Sequence, residues 1–219
     1  LKSKCRIIEM MTPSDVTSSQ QKRLESSSSV PSAASVKYLK STPPLRVILI
    51  GNQAPHKGFD SFLRIANHMR EGSILFSILG ANDTTSEAMS ILGLDKTVAV
   101  HHRYTRSELD ALLAVSDVAL FLSQWPETYN ISLGEAMAAQ VIPIATDIGA
   151  HRDRIIHCYN GFLVEPGKEF QVADILHMLY LEREKLTEIR GNLRNVRQVN
   201  EREHTKKLLS AYKNLAKGE

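Results

Sequence analysis

From Leu45 onward, continuous apolar runs alternate with amphipathic stretches. The runs are Leu45–Ile50, Ile74–Leu79, Thr97–Val100, Val118–Leu122, Val141–Ala145 and Phe162–Val164. Within each run, apolar residues follow one another rather than alternating with polar ones, as in strands covered on both faces. The stretches between and after them, Phe59–Arg70, Ser86–Leu92, Ser107–Val115, Ile131–Ala139, His151–His157 and Phe170–Tyr180, have helical composition. Strand and helix taking turns implies βαβ units. The pattern therefore predicts an α/β fold: a Rossmann-like parallel sheet of about six strands with helices on both faces. Such sheets bind ligands at the carboxyl ends of their strands. After Leu181 the chain is charged and helical, with a break expected at Gly191 and a terminal helix over Glu201–Leu215.

Residues 1–44 read differently. They hold four consecutive serines at Ser26–Ser29 and end in Pro43-Pro44, a linker composition without apolar periodicity. The short run Cys5-Arg6-Ile7-Ile8 suits a strand of an upstream domain, and a chain starting at Leu1 reads as part of something longer. Three segments result: an arm over 1–44, a ligand-binding Rossmann-like domain over 45–180, and C-terminal helices over 181–219.

Composition narrows the partners. At 42% hydrophobic and 23% charged residues, the chain is ordinary for a globular protein. Its 27 basic and 24 acidic residues leave a net charge of +3, too mild for a dedicated nucleic-acid binder. That balance fits an anionic small ligand, or a weak attraction to an acidic membrane surface. No apolar run approaches the about 18 residues that span a bilayer. Cys5 and Cys158 are too few for a zinc site and fit a reducing, cytoplasmic compartment.

The chemistry concentrates in Pro126-Glu127-Thr128-Tyr129-Asn130-Ile131-Ser132-Leu133-Gly134-Glu135. Asn130 is a good N-cap for the helix that follows. Glu127 lies before the cap, in the loop after an apolar strand. Glu135 lies one turn into the helix, and its side chain should lean back towards the helix start. Carboxylates accept hydrogen bonds from paired hydroxyls, so two of them around one helix start suit a sugar and a ribose. The helix start, with free N–H groups and a favourable dipole, suits the phosphates between them.

Other strand ends could line the same crevice. Gly51-Asn52-Gln53-Ala54-Pro55-His56-Lys57-Gly58 follows the first strand. It is neither a Walker A loop nor a dinucleotide fingerprint, yet a glycine-bounded loop with one lysine can hold a phosphate. Gly80 ends the second strand, where a ligand could approach the backbone closely. His101-His102-Arg103-Tyr104 ends the third strand. Adjacent histidines in a strand face opposite ways, so they do not chelate, but the backbone there could meet a base. Thr146-Asp147-Ile148-Gly149-Ala150 follows the fifth strand. Trp125 serves either as a sugar-stacking face or as a packing residue. His56 and His151 are further candidates for ligand contact.

In chain order, Lys57-Gly58, Ile78-Leu79-Gly80, Ser116-Asp117-Val118-Ala119-Leu120, Glu127 with Glu135-Ala136-Met137, Pro143-Ile144-Ala145-Thr146 with Gly149, and Asn160-Gly161-Phe162-Leu163-Val164 resemble the C-terminal, donor-binding domain of GT-B fold, retaining glycosyltransferases of family 4. The resemblance covers about residues 45–180 and is most specific in its later half. Trp125-Pro126-Glu127-Thr128-Tyr129 resembles bacterial polysaccharide and O-antigen (lipopolysaccharide) transferases. The resemblance implies a nucleotide-sugar donor and a glycan or lipid-linked acceptor. It also implies an N-terminal acceptor domain, no metal and no other cofactor.

It implies roles as well. Lys57 would hold the donor diphosphate, and Glu127 would bind the donor sugar, these two being the catalytic pair. Glu135 would bind the ribose, and Asn130 and Ile131 would offer backbone N–H groups to the phosphates. Gly51, Gly80 and Tyr104 complete the donor-binding set. The chain departs from the family at Asn52, where arginine is common, and at Tyr129-Asn130, where Phe-Gly is common. An epimerase or phosphorylase of the same architecture, or a non-catalytic nucleotide-sugar-binding module, are the alternative readings.

Overall fold

The computed structural model describes residues 42–51, 53–70, 72–196 and 201–217. Apart from its last three residues, the expected arm over 1–44 lies outside the described residues. Six strands form one sheet: β1 (Leu45–Ile50), β2 (Ile74–Leu79), β3 (Val98–His101), β4 (Val118–Phe121), β5 (Ile142–Thr146) and β6 (Phe162–Val164). Their order is β3-β2-β1-β4-β5-β6, and every pairing is parallel. Leu49 sits between Ile78 on one side and Leu120 on the other. The chain runs outward from β1 to β3, then returns to the middle to start β4. The ends of β1 and β4 thus diverge into separate loops and leave a crevice at the switch point. Every residue of β4 and β5 is buried, whereas β3 at the edge buries only Val98 fully. This gradient explains the unbroken apolar runs of the central strands.

Helices α1 (Phe59–His68), α2 (Asp83–Ile91), α3 (Arg106–Val115), α4 (Ile131–Ala138), α5 (Ala150–Arg154) and α6 (Glu169–Leu181) alternate with the strands. Two more, α7 (Arg183–Asn195) and α8 (Glu201–Lys217), close the chain. On the sheet, α1 packs beside α6, and α4 packs beside α7 over β4 and β5. Helices α2 and α3 start earlier than their apolar pattern suggests because capping boxes extend them. The Asn82 side chain accepts from Thr85 N while Asn82 N donates to the Thr85 hydroxyl, and Thr105 does the same with Glu108 N and the Glu108 carboxylate. Such caps contribute about 1 kcal/mol each.

The break expected at Gly191 is not there. The kink falls at Glu182, between α6 and α7, and Gly191 lies inside a continuous α7. Leu186, Ile189 and Leu193 make one buried stripe across it, and burying them outweighs the ~1 kcal/mol cost of a helical glycine. Asp117, just before β4, ties this region together. It accepts from Arg46 N at 2.9 Å and pairs with Arg190 at 2.7 Å. Among the described residues no helix is long and apolar enough to cross a membrane.

Candidate functional site

The β1 and β4 loops are pressed together by a glycine. Gly58 adopts φ 79°, and a Cβ there would overlap the main chain of Leu122. This close approach brings the 3-10 turn Pro55–Lys57 against the loop after β4. Gln124 N donates to His56 O at 2.8 Å, and the His56 and Trp125 rings stack at 5.1 Å. Trp125, 67% exposed, therefore lies on the rim with one face against His56.

Lys57 and Glu127 meet across this junction. Lys57 Nζ and Ser123 Oγ both donate to Glu127 Oε1, each at 2.5 Å. Burial opposes ionisation of Glu127. The hydrogen bonds from Lys57 and Ser123, with the Lys57 charge, outweigh it and hold the carboxyl below its usual range. Glu127 is thus an anion fixed by one cation and one hydroxyl.

Behind it, α4 begins at Asn130, whose backbone is left-handed at φ 56° and ψ 85°. Its Oδ1 accepts from Leu133 N at 3.1 Å, as an N-cap does. Its Nδ2 contacts His151 Nε2 at 2.8 Å, and His151 Nδ1 contacts Thr146 O at 3.0 Å. A carbonyl can only accept, so Nδ1 carries the proton and Nε2 accepts from Asn130. His151 is fully buried and held neutral, burial pushing its pKa down against the hydrogen bond to Thr146. The sequence offers it as a candidate ligand contact, but it is buried behind Asn130 and does not line the cavity at the head of α4.

A cavity of about 420 Å³ opens at this point, lined among others by Gly51, Gln53, Lys57, Glu127, Asn130 and Ile131. Five of the eight expected site residues therefore share one space: Gly51, Lys57, Glu127, Asn130 and Ile131. Of the other three, Gly80 and Tyr104 adjoin Gly51, and Glu135 lies one turn further along α4. A Cβ on Gly80 would sit 3.3 Å from Gly51 O and 3.4 Å from Tyr104 Cε1, so the ends of β1 and β2 and the loop after β3 are contiguous there. Glu135 pairs with Arg106 at 2.5 Å. Asn52 lies outside the described residues.

Sequence reasoning missed Ser123, Arg106 and Arg154. Arg154 donates to Tyr129 O at 2.8 Å and Asn130 O at 3.0 Å, with its guanidinium 4.9 Å from the Tyr129 ring centre. No spacing rule singles it out. Among the described residues, no cluster of three or more His, Cys, Asp or Glu is placed to hold a metal ion.

The titrations set a pH dependence of stability. His151 has its folded pKa depressed from the ordinary 6.5, so in acid the unfolded chain binds a proton that the fold resists. Its contribution is fully present above pH 6.5 and is lost as pH falls through the folded value. Glu127, also depressed, acts in the same direction from 4.5 downward. Melting temperature measured against pH should decline below 6.5, and less steeply in His151→Gln. An unchanged slope in that variant would remove His151 from the titration. Of the groups around it, Glu127 favours its protonation, while Lys57 and Arg154 oppose it.

This arrangement offers a cation and helix-start N–H groups for an anion, beside a fixed carboxylate for hydroxyls. The family profile described as "Glycosyl transferases group 1" matches residues 33–196. The chain belongs to the group 1 glycosyltransferases. Comparison with curated proteins gives no match. Among solved structures, this group 1 chain is similar to the C-terminal domain of the group 1 glycosyl transferase LpcC from Francisella tularensis. Identity is 25% and the TM-score 0.60, over 70% of this chain and 85% of that one. A Rickettsia africae glycosyltransferase shares 18% identity at a TM-score of 0.70, over 94% of this chain and 54% of that one. Anabaena HepE, solved in complex with UDP-glucose, shares 19% identity at a TM-score of 0.61, over 81% of this chain and 47% of HepE. The group 1 chain thus spans about half the length of the last two proteins.

Proposed function

We propose that this chain is the donor-binding, C-terminal part of a retaining GT-B glycosyltransferase of family 4. It would act on a polysaccharide or lipid-linked acceptor at the cytoplasmic face of a membrane. The observation that carries this reading is the meeting of Lys57 and Glu127, from different βα loops, in the cavity at the head of α4.

In this reading, Lys57 turns from Glu127 towards the donor diphosphate, and the N–H groups at Asn130 and Ile131 share that charge. Glu127 binds the sugar hydroxyls and aligns the anomeric carbon. Gly51, Gly80 and Tyr104 line the nucleotide end, and Glu135 takes the ribose. Transfer breaks the bond from the anomeric carbon to the diphosphate oxygen and forms one to the acceptor oxygen, whose proton passes to the departing diphosphate oxygen. Lys57 and the helix start stabilise the departing diphosphate, and the rest is positioning. Acceptor contacts would come from an N-terminal domain, so these 219 residues alone would bind donor without transferring it.

Calorimetry with UDP and UDP-glucose separates the two carboxylates. Glu135→Ala should weaken both ligands by about 1.5–3 kcal/mol, since both carry ribose. Glu127→Ala should weaken UDP-glucose by a similar amount and leave UDP unchanged. Equal losses for both ligands in Glu127→Ala would refute the assignment.

A further inference from the structure

His151 stands outside the cavity, yet its contacts reach the residue that opens α4. Asn130 adopts φ 56° and ψ 85°, a left-handed backbone that costs most L-residues energy and that asparagine tolerates better than others. The sequence offers no glycine there, and three contacts compensate. Oδ1 accepts from Leu133 N, Nδ2 donates to His151 Nε2, and the backbone carbonyl accepts from Arg154. His151 and Arg154 both belong to α5, and His151 is itself anchored through Nδ1–H to Thr146 O. The imidazole sets which way the Asn130 amide lies: its acceptor Nε2 takes the NH2 end, so Oδ1 must turn to the Leu133 N–H. With the amide reversed, the capping bond and the His151 bond are lost together.

We infer that His151 is a positioning residue for the donor site, acting through Asn130. It holds the left-handed turn that aims the first free N–H groups of α4 into the cavity beside Lys57 and Glu127. The inference rests on the donor-site reading above for its functional half. Its structural half is the coupling between His151 and Asn130. Only the asparagine needs this support, because a glycine adopts φ near +60° unaided.

The coupling is therefore testable by a double-mutant cycle in the whole chain, H151A and N130G singly and together. Two readouts apply: hydrogen exchange at the Leu133 amide without ligand, and UDP-glucose affinity. H151A alone should speed Leu133 exchange and weaken UDP-glucose binding, each about tenfold, equivalent to about 1.4 kcal/mol. In the N130G background, H151A should change either readout less than about twofold. H151Q, which retains one donor and one acceptor, should recover most of the loss and also serves if H151A does not fold. Equal effects of H151A in both backgrounds would show that His151 only fills the core, and would overturn the inference. If the unaltered chain binds no UDP-glucose, the functional reading fails, and the exchange cycle still decides the coupling.

Discussion

Gly149→Ala is expected to destabilise the fold by about 2–4 kcal/mol and to abolish nucleotide-sugar binding. Gly149 follows β5 with φ 51° and ψ −139°, a backbone region open to glycine and strained for alanine. An added Cβ would lie 2.6 Å from Glu127 O, 2.8 Å from Glu127 N and 3.0 Å from the Pro126 Cα. All three are main-chain atoms, so no flexible side chain can swing aside. The Pro126-Glu127 segment must move, breaking the Ala150 N–Glu127 O bond at 2.9 Å. The Glu127 carboxylate then leaves Lys57 and Ser123. Urea unfolding, together with a UDP-glucose titration, measures both effects. A variant with unaltered stability would mean the loop is held less closely than these distances indicate.

Lys57→Ala should weaken UDP binding by about 1.5–3 kcal/mol, the range for a hydrogen bond to a charged group. The lysine is 39% exposed while its partner Glu127 is 18% exposed, so the cation is the more mobile member of the pair and can swing to an arriving phosphate. Its loss also leaves Glu127, among the described residues, with Ser123 as its remaining side-chain donor, which should raise the carboxyl towards its ordinary value. UDP affinity of the unaltered chain should fall as salt is raised, and that dependence should flatten in the variant. Calorimetry at two salt concentrations gives both numbers. Unchanged UDP affinity would remove Lys57 from the site.

The strands and their order of appearance were legible because burial on both faces leaves unbroken apolar runs, as in Val118–Phe121. The meeting of Lys57 and Glu127 was legible only as two strand-end loops that a parallel sheet must bring to one edge. The left-handed Asn130 was hidden, since asparagine at a helix start ordinarily signals a cap in extended backbone. His151 stands as a candidate ligand contact because nothing in the sequence marks the first residue of the stretch His151–His157 as buried. Arg106 and Arg154 reach their partners from 29 and 24 positions away, along directions set by the finished fold. Gly191 misled in the opposite sense, its local weakness being overridden by the buried stripe around it.

The strand order also governs how the chain must be made. β1 pairs with β4, and Arg46 and Asp117 at their starts are 71 positions apart. During synthesis at roughly 5–20 residues per second, β1 can pair with β2, and β2 with β3, while the other edge of β1 stays open for several seconds or more. That edge carries Val47, Ile48, Leu49 and Ile50, an apolar strand without Lys or Pro to discourage a foreign chain from adding to it. Arrival of β4 therefore seals the aggregation-prone side of the nascent sheet, and the same event brings Glu127 to Lys57. Ribosomal pausing within residues 102–117 would prolong the vulnerable interval, so the ligand crevice and the solubility of the newborn chain depend on one late, long-range closure.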